Sequence, residues 1–325
     1  MNNLSHIILP VEKEMKAFMR LYKESLKGHS TDFQYIIDYI SETDGKKIRP
    51  LLLLLTAKTC GDINQNSLDY ALILELLHNA TLIHDDVVDD TKERRGISSM
   101  NAKYDNKTAV LVGDYILSVA IANAVKTQNM QVLGIVSNLA SNLVEGELRQ
   151  LTVSNGAIIN ESHYFEIIRK KTAILLSTCT ELGAFSVGVN KETVEKFRLF
   201  GEYLGICFQI KDDLFDYFEQ GEIGKPTGND LREGKITLPL IYALKNSADT
   251  KETESMLGII KENDFTEKNI LLLTDFAKNY GGTEYAGKKM KEYKQKAVDL
   301  IEDFPQSAAK ESLLKLVDYI IERNK

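Results

Sequence analysis

Apolar residues recur at helical spacing along nearly the whole chain, and strict two-residue alternation is scarce. The spacing predicts an amphipathic helix over 11–27, ending near Gly28, and another over 32–42, ending at Thr43-Asp44-Gly45. Pro50 suits the first turn of a helix running to Cys60, where Gly61-Asp62 breaks it. Long helices are expected over 67–90 and 191–218. Leu72, Ile73, Leu74, Leu76, Leu77, Ala80, Leu82 and Ile83 leave the first little polar face, and Leu204, Ile206, Cys207, Phe208 and Ile210 do the same for the second, so both should be buried. Segment 92–107 reads as loop or short helices, and helices follow over 108–125, 130–152 and 161–189. Ser154-Asn155-Gly156 reads as a turn and 221–234 as a loop. Beyond it come a helix over 236–245, two shorter ones within 248–280, one after Gly281-Gly282 carrying Ala286, Met290, Tyr293, Ala297 and Leu300, and a last over 308–322. No repeat, low-complexity stretch or linker interrupts the pattern, which predicts one all-α domain over residues 1–325.

Each buried helix ends in the same acidic pattern. Asp85-Asp86-Val87-Val88-Asp89 and Asp212-Asp213-Leu214-Phe215-Asp216 both read D-D-x-x-D. Helix residues four apart are offset by only about 40° and about 6 Å along the axis. Asp85 and Asp89 therefore share a face, as do Asp212 and Asp216, with Asp86 and Asp213 flanking them. Like charges at that spacing destabilise a helix unless a cation compensates them. One such motif alone also reads as a solvated acidic helix end; two, each behind an apolar helix, suggest one metal site.

Bulk composition narrows the classes. The chain has 325 residues, 43% hydrophobic and 27% charged, which is ordinary globular composition. A net charge of −7 and a pI of about 5.5 offer no basic field to nucleic acid. Cys60, Cys179 and Cys207 are few, odd in number and widely spaced. They read as buried thiols in a reducing, cytoplasmic setting rather than a disulfide framework or a zinc site. The first residues lack the pattern of a signal peptide, and no stretch reads as the roughly 20 apolar residues that span a bilayer.

Basic residues flank the acidic motifs. Lys46 and Arg49 precede the helix that starts near Pro50, where backbone N–H groups favour a phosphate. Arg94-Arg95 follows the first motif, Lys170-Lys171-Thr172 lies in mid-helix, and Lys225 and Lys235 lie in the loop after the second. His78 stands one to two turns before Asp85. Each alone also reads as solvated surface or satisfied core. Together they imply a diphosphate ligand, with Mg²⁺ held between carboxylates and phosphates. Ile83, Leu82, Thr81, Ala80 and Leu77 then offer a greasy wall to a long apolar substrate.

Six blocks in this order carry a resemblance: GKKIRP at 45–50, LLHNATLIHDDVVDDTKERRG at 76–96, VGDY at 112–115, KT at 171–172, FQIKDDLFD at 208–216 and GKPTGNDLREGKITLPLI at 224–241. With them the chain closely resembles the trans-type (E) polyprenyl diphosphate synthases over most of its length. The resemblance implies the isoprenoid synthase fold, a bundle of long helices around a deep cavity, and a homodimer. It implies that Asp85, Asp86, Asp89, Asp212, Asp213 and Asp216 hold Mg²⁺, about three ions per site with substrate bound. It places Arg94, Lys171, Gln209, Lys225 and Lys235 on an allylic diphosphate, and Lys46, Arg49, His78 and Arg95 on isopentenyl diphosphate. Thr172 matches a residue near the developing carbocation. Lys171, Thr172 and Asp212 join the first-motif aspartates as the residues expected to carry the chemistry. Two departures stand out. Lys211 precedes the second motif where many relatives carry a neutral residue, and Asp90 follows Asp89 where long-chain relatives often have Glu.

In this family, bulky aromatics four or five residues before the first Asp block the cavity of short-chain members. Here those positions are Thr81 and Ala80, both small. The expectation is a long-chain product of about thirty-five to fifty carbons, octaprenyl as the centre, with the cavity floor set deeper, near 130–143. The rivals are a short-chain farnesyl or geranylgeranyl synthase, a class I terpene cyclase, whose usual second motif of Asn, Ser/Thr and Glu is missing, and a non-catalytic synthase subunit, which tends to lose its Asp motifs. The product could draw the enzyme to a membrane surface on release.

Overall fold

The computed structural model describes residues 4–27, 31–42, 45–94, 96–153, 160–218, 228–247 and 251–322. It is all-α apart from one small hairpin. The elements are α1 (Leu4–Ile8), a 3-10 turn (Leu9–Val11), α2 (Glu12–Ser25), α3 (Thr31–Glu42), α4 (Ile48–Cys60) and α5 (Gln65–Val88). Strands β1 (Glu93–Arg94) and β2 (Ile97–Ser98) pair antiparallel, Arg94 opposite Ile97. Then come α6 (Met100–Lys103), α7 (Asn106–Lys126), α8 (Met130–Val153), α9 (Glu161–Ile168), a π-turn (Arg169–Ala173), α10 (Ile174–Ser186) and α11 (Lys191–Phe215). The chain closes with α12 (Asn229–Arg232), α13 (Leu238–Asn246), α14 (Lys251–Lys261), α15 (Glu267–Asn279), α16 (Gly282–Ile301) and α17 (Ala308–Glu322). Gly28, Thr43-Asp44, Arg95, the turn expected at Ser154-Asn155-Gly156 and Lys225 lie outside the described residues.

Two compact units form. The first gathers Met1–Ala140, Thr178–Arg198 and Phe304–Leu316. Its centre is α5, started by a reciprocal cap: the Asn64 side chain accepts the Ser67 N–H and Ser67 Oγ accepts the Asn64 N–H, both at 3.3 Å. From Tyr70 to Leu77 every position of α5 is buried, so this helix has no solvent face there and packs chiefly on α7 and α4. Leu51 to Leu55 of α4 are wholly buried, each stabilising the unit by about 2 kcal/mol relative to exposure.

Helix α7 amends one expectation. It is long and apolar enough, by length and composition, to cross a membrane. Val112, Ile116, Ala120 and Ala124 form its buried stripe, while Val110, Leu111, Ile121 and Val125 stay exposed.

The second unit gathers Ser141–Ser177, Leu199–Asp303 and Val317–Lys325. Its core joins Tyr164, Phe165 and Ile168 of α9 with Ile206, Ile210 and Leu214 of α11, and continues into α13, α15 and α16. The long helix expected over 161–189 is interrupted here by the π-turn, closed by Ile174 N–H donating to Arg169 O. The wide turn falls on Lys171 and Thr172, where π-turns often mark function. Apolar spacing continues across it, so periodicity alone reads the segment as one helix.

Candidate active site

In the first unit, α5 stops one residue before Asp89. The Asp89 N–H still bonds Asp85 O (2.8 Å), and Asp90 then turns left-handed at φ 49. The three carboxylates separate at this helix end. Asp86 points inward, 4% exposed; Asp85 is half-buried and Asp89 exposed. Arg94, carried on β1, reaches Asp86 Oδ1 through Nε (2.8 Å) and Nη2 (2.6 Å). The hairpin thus delivers a guanidinium to the middle carboxylate. Asn79, Leu82, Ile83, Asp86 and Arg94 line one recess. Ala80, 1% exposed, lies in the core beside that strip, and Thr81 donates its hydroxyl to His78 O at 2.8 Å. Thr81 and His78 are four and seven residues before Asp85, on the Asp85 face of α5.

The GKKIRP block divides as well. Lys46 is exposed, Arg49 half-buried and His78 buried. Lys47, left-handed at φ 47, is buried against Glu75 at 3.0 Å with its ammonium 4.1 Å from the Tyr22 ring centroid. Asp90 pairs with Lys92 at 2.6 Å on the surface.

In the second unit, α11 ends at Phe215, and Asp216 turns to cap α12. Its carboxylate accepts the N–H groups of Asn229 (3.1 Å) and Asp230 (2.6 Å). Asp213 is 3% exposed and accepts Tyr164 O–H at 2.5 Å and Gln209 Nε2 at 2.8 Å. Gln209 Oε1 in turn accepts the Thr172 hydroxyl at 2.7 Å. Asp212 remains half-buried. Lys171, Thr172, Gln209, Asp213 and Lys235 therefore line one recess, with Tyr164, Gln150 and Asp230. Lys171 pairs with Glu147 of α8 at 2.5 Å, Lys235 pairs with Glu233, and the Lys211 ammonium lies 4.8 Å from the Phe215 ring centroid.

Burial drives the electrostatics of this recess. It pushes the Asp213 carboxyl up; the Tyr164 and Gln209 bonds oppose that, and Asp212 and Asp216 add to it. Burial, then Asp213 and Asp216, pushes Asp230 up against the pull of Lys235. Asp216 is raised by burial and restrained by the two backbone N–H groups. The Tyr164 phenol is held well above its usual range by burial and then Asp213, so it stays protonated and donates.

Among the described residues, no three carboxylates, imidazoles or thiols form a metal cage by themselves. Asp213, Asp216 and Asp230 nonetheless crowd negative charge into a buried space. That all-oxygen, charge-surplus set fits a hard divalent cation that takes its remaining ligands from phosphate and water.

Three residues here escaped the sequence reading. Asp230 lies inside the GKPTGNDLREGK block, among the glycines and charges that make the segment read as a loop. Tyr164 sits in the apolar run of α9, where a tyrosine reads as packing. Glu147 meets Lys171 from another helix, a pairing that no local pattern announces.

Residues 30–272 match the sequence profile of the polyprenyl synthetase family. The octaprenyl diphosphate synthase of Haemophilus influenzae is 34% identical, covering 88% of this chain and 87% of that protein. A crystal structure of polyprenyl synthase from Caulobacter crescentus, complexed with calcium and isoprenyl diphosphate, superposes with a TM-score of 0.90 at 30% identity, covering 99% of this chain and 98% of that one. The geranylgeranyl pyrophosphate synthase from Bacteroides thetaiotaomicron superposes with a TM-score of 0.83 at 41% identity, covering 98% of each chain. The profile spans well over half of the sequence, and the all-α fold is the one these proteins share: this chain belongs to the polyprenyl synthetase family.

Proposed function

We propose that the protein condenses isopentenyl diphosphate with an allylic diphosphate in successive head-to-tail steps, giving an all-trans polyprenyl diphosphate of about thirty-five to fifty carbons and releasing diphosphate at each step. Family membership makes it a prenyl-transferring enzyme. The observation that carries the reading is the single recess of Lys171, Thr172, Gln209, Asp213 and Lys235, in which ammonium groups, a hydroxyl and carboxylates converge.

Each residue has a physical task in this reaction. Lys171 and Lys235, with Arg94, Lys225 and Gln209, hold the allylic diphosphate and spread its charge as the C–O bond breaks. Lys46, Arg49, Arg95 and His78 hold isopentenyl diphosphate, so that its double bond is presented to the allylic carbon. The Thr172 oxygen offers a dipole to the developing positive charge. That charge must be kept from water for the transfer to succeed. A C–C bond forms, and the proton lost from the adduct passes to the released diphosphate. Asp85, Asp86, Asp89, Asp212, Asp213 and Asp216 would hold Mg²⁺, which supplies Lewis-acid neutralisation of the departing diphosphate when bound, with about three ions per site.

Small side chains at Ala80 and Thr81 support the long product. A second reading, a geranylgeranyl-length product, is favoured by the 41% identity to the Bacteroides synthase. Incubating the purified protein with Mg²⁺, farnesyl diphosphate and labelled isopentenyl diphosphate, then sizing dephosphorylated products, separates them. A ladder ending at about thirty-five carbons or more is expected, and Ala80→Phe should shorten it. A stop at about twenty carbons favours the second reading, and consumption of farnesyl diphosphate without incorporation favours a cyclase.

The reading includes one catalytic domain over 1–325, a homodimer and a cytoplasmic setting. Four exposed aliphatic side chains on α7 support self-association, and Val125→Lys should shift sedimentation toward the monomer. Three free thiols support a reducing compartment.

A further inference from the structure

The π-turn at Arg169–Ala173 is held between two glycines. A methyl group built on Gly205 of α11 would lie 2.4 Å from Ala173 Cα, 2.8 Å from its Cβ and 3.1 Å from its carbonyl oxygen. One built on Gly146 of α8 would lie 2.9 Å from Lys171 N and 3.1 Å from Lys170 C. Most of these neighbours are backbone atoms, which cannot swing aside as the end of a side chain can. Gly134 of α8 and Gly287 of α16 differ: nothing stands within 4 Å of a methyl built on either.

A helix glycine destabilises its helix relative to alanine, so one in mid-helix calls for a packing reason. Gly146 and Gly205 have the same reason, because both let a neighbouring helix approach the π-turn backbone. The turn itself is a wide, seldom-used conformation that persists where its surroundings fix it. The residue after Gly146 completes the grip, since Glu147 takes the Lys171 ammonium at 2.5 Å.

We infer that Gly146 and Gly205 are positioning residues: by admitting α8 and α11 against the π-turn, they set where Lys171 and Thr172 enter the recess. The inference rests on the prenyl-transfer reading for the roles of those two residues. The backbone of Ala173 fixes the direction of Thr172, whose hydroxyl must still reach Gln209 Oε1 at 2.7 Å. A shift of the turn would therefore disturb the Thr172–Gln209–Asp213 chain and the Lys171 ammonium together. The second substrate, held by other residues, should be spared.

Gly205→Ala, Gly146→Ala and the controls Gly134→Ala and Gly287→Ala test this. Two readouts are needed: steady-state kinetics in both substrates, and calorimetric binding of inorganic pyrophosphate with Mg²⁺, which needs no turnover. For Gly205→Ala we expect kcat to fall about tenfold or more, KM for the allylic substrate to rise about fivefold, KM for isopentenyl diphosphate to stay within about twofold, and pyrophosphate to bind about fivefold more weakly. Gly146→Ala should show the same pattern at smaller size, and both controls should match the parent. Kinetics and pyrophosphate binding in Gly205→Ala equal to those of the controls would overturn the inference. So would a uniform loss for both substrates. If Gly205→Ala does not fold, Gly146→Ala decides by the same readouts. If the parent transfers no prenyl group, the functional reading fails, while the pyrophosphate comparison still judges the glycines.

Discussion

The two D-D-x-x-D motifs are nearly the same in sequence and differ in setting. In the first unit the buried middle carboxylate, Asp86, meets a cation, with two guanidinium nitrogens of Arg94 on one of its oxygens. In the second the buried middle carboxylate, Asp213, meets neutral donors, Tyr164 and Gln209, and shares its surroundings with Asp216 and Asp230. The last aspartates differ too: Asp89 stays exposed at the end of α5, whereas Asp216 caps a new helix. Motif spacing alone therefore says little about compensation. The first motif carries its own counter-ion; the second stores negative charge that an added cation would relieve.

The strongest way to break this comparison is to remove the first carboxylate of each motif, half-buried in both. Asp85→Ala and Asp212→Ala should each lower prenyl transfer by about 10²–10³-fold, measured as kcat at saturating substrates, and full activity in either would remove that motif from the site. A smaller effect separates the buried partners. Tyr164→Phe takes a donor from a buried carboxylate and should cost about 2 kcal/mol in denaturant unfolding. Arg94→Ala should cost about 1–2 kcal/mol, discounted because Arg94 is itself 37% exposed.

The stored charge should appear in pH dependence. Asp213 in the folded protein is raised above its ordinary range. The folded state then binds more protons than the unfolded one, so its contribution is present at low pH and is lost as pH rises from the ordinary carboxylate range through the raised value. In metal-free protein, Asp213→Asn should gain stability relative to the parent as pH rises between about 4 and 8. A flat difference across that range would contradict the charge storage. Asp86→Asn should only destabilise, because it removes the counter-ion of Arg94.

The smallest effect is where the units should agree. Burial pushes Cys179 in the first unit and Cys207 in the second up to about 12. Both thiols should resist alkylation of the native protein at neutral pH, and rapid labelling of one alone would show that its unit opens.

Much of the fold was legible in the sequence because helix periodicity is local. The bounds of α4, Ile48–Cys60, lie where Pro50 and Gly61 put them, and α5 and α11 reach their acidic ends as the apolar runs required. The hairpin at Glu93–Ser98 was not legible, since two-residue strands have no period to detect. Nor was the π-turn, because its extra residue leaves the apolar stripe looking continuous.

By itself the sequence determined the helical class, the family through its six ordered blocks, and the acidic and basic residue types a diphosphate chemistry needs. These follow from composition and from spacings of three to seven residues along one helix. Only the tertiary structure decided which carboxylate of each motif is buried, that Arg94 falls on Asp86, that Tyr164 falls on Asp213, and that Gly146 and Gly205 close on one turn. Those outcomes depend on contacts between elements 8 to 49 residues apart, whose geometry is fixed by packing and not by any local preference.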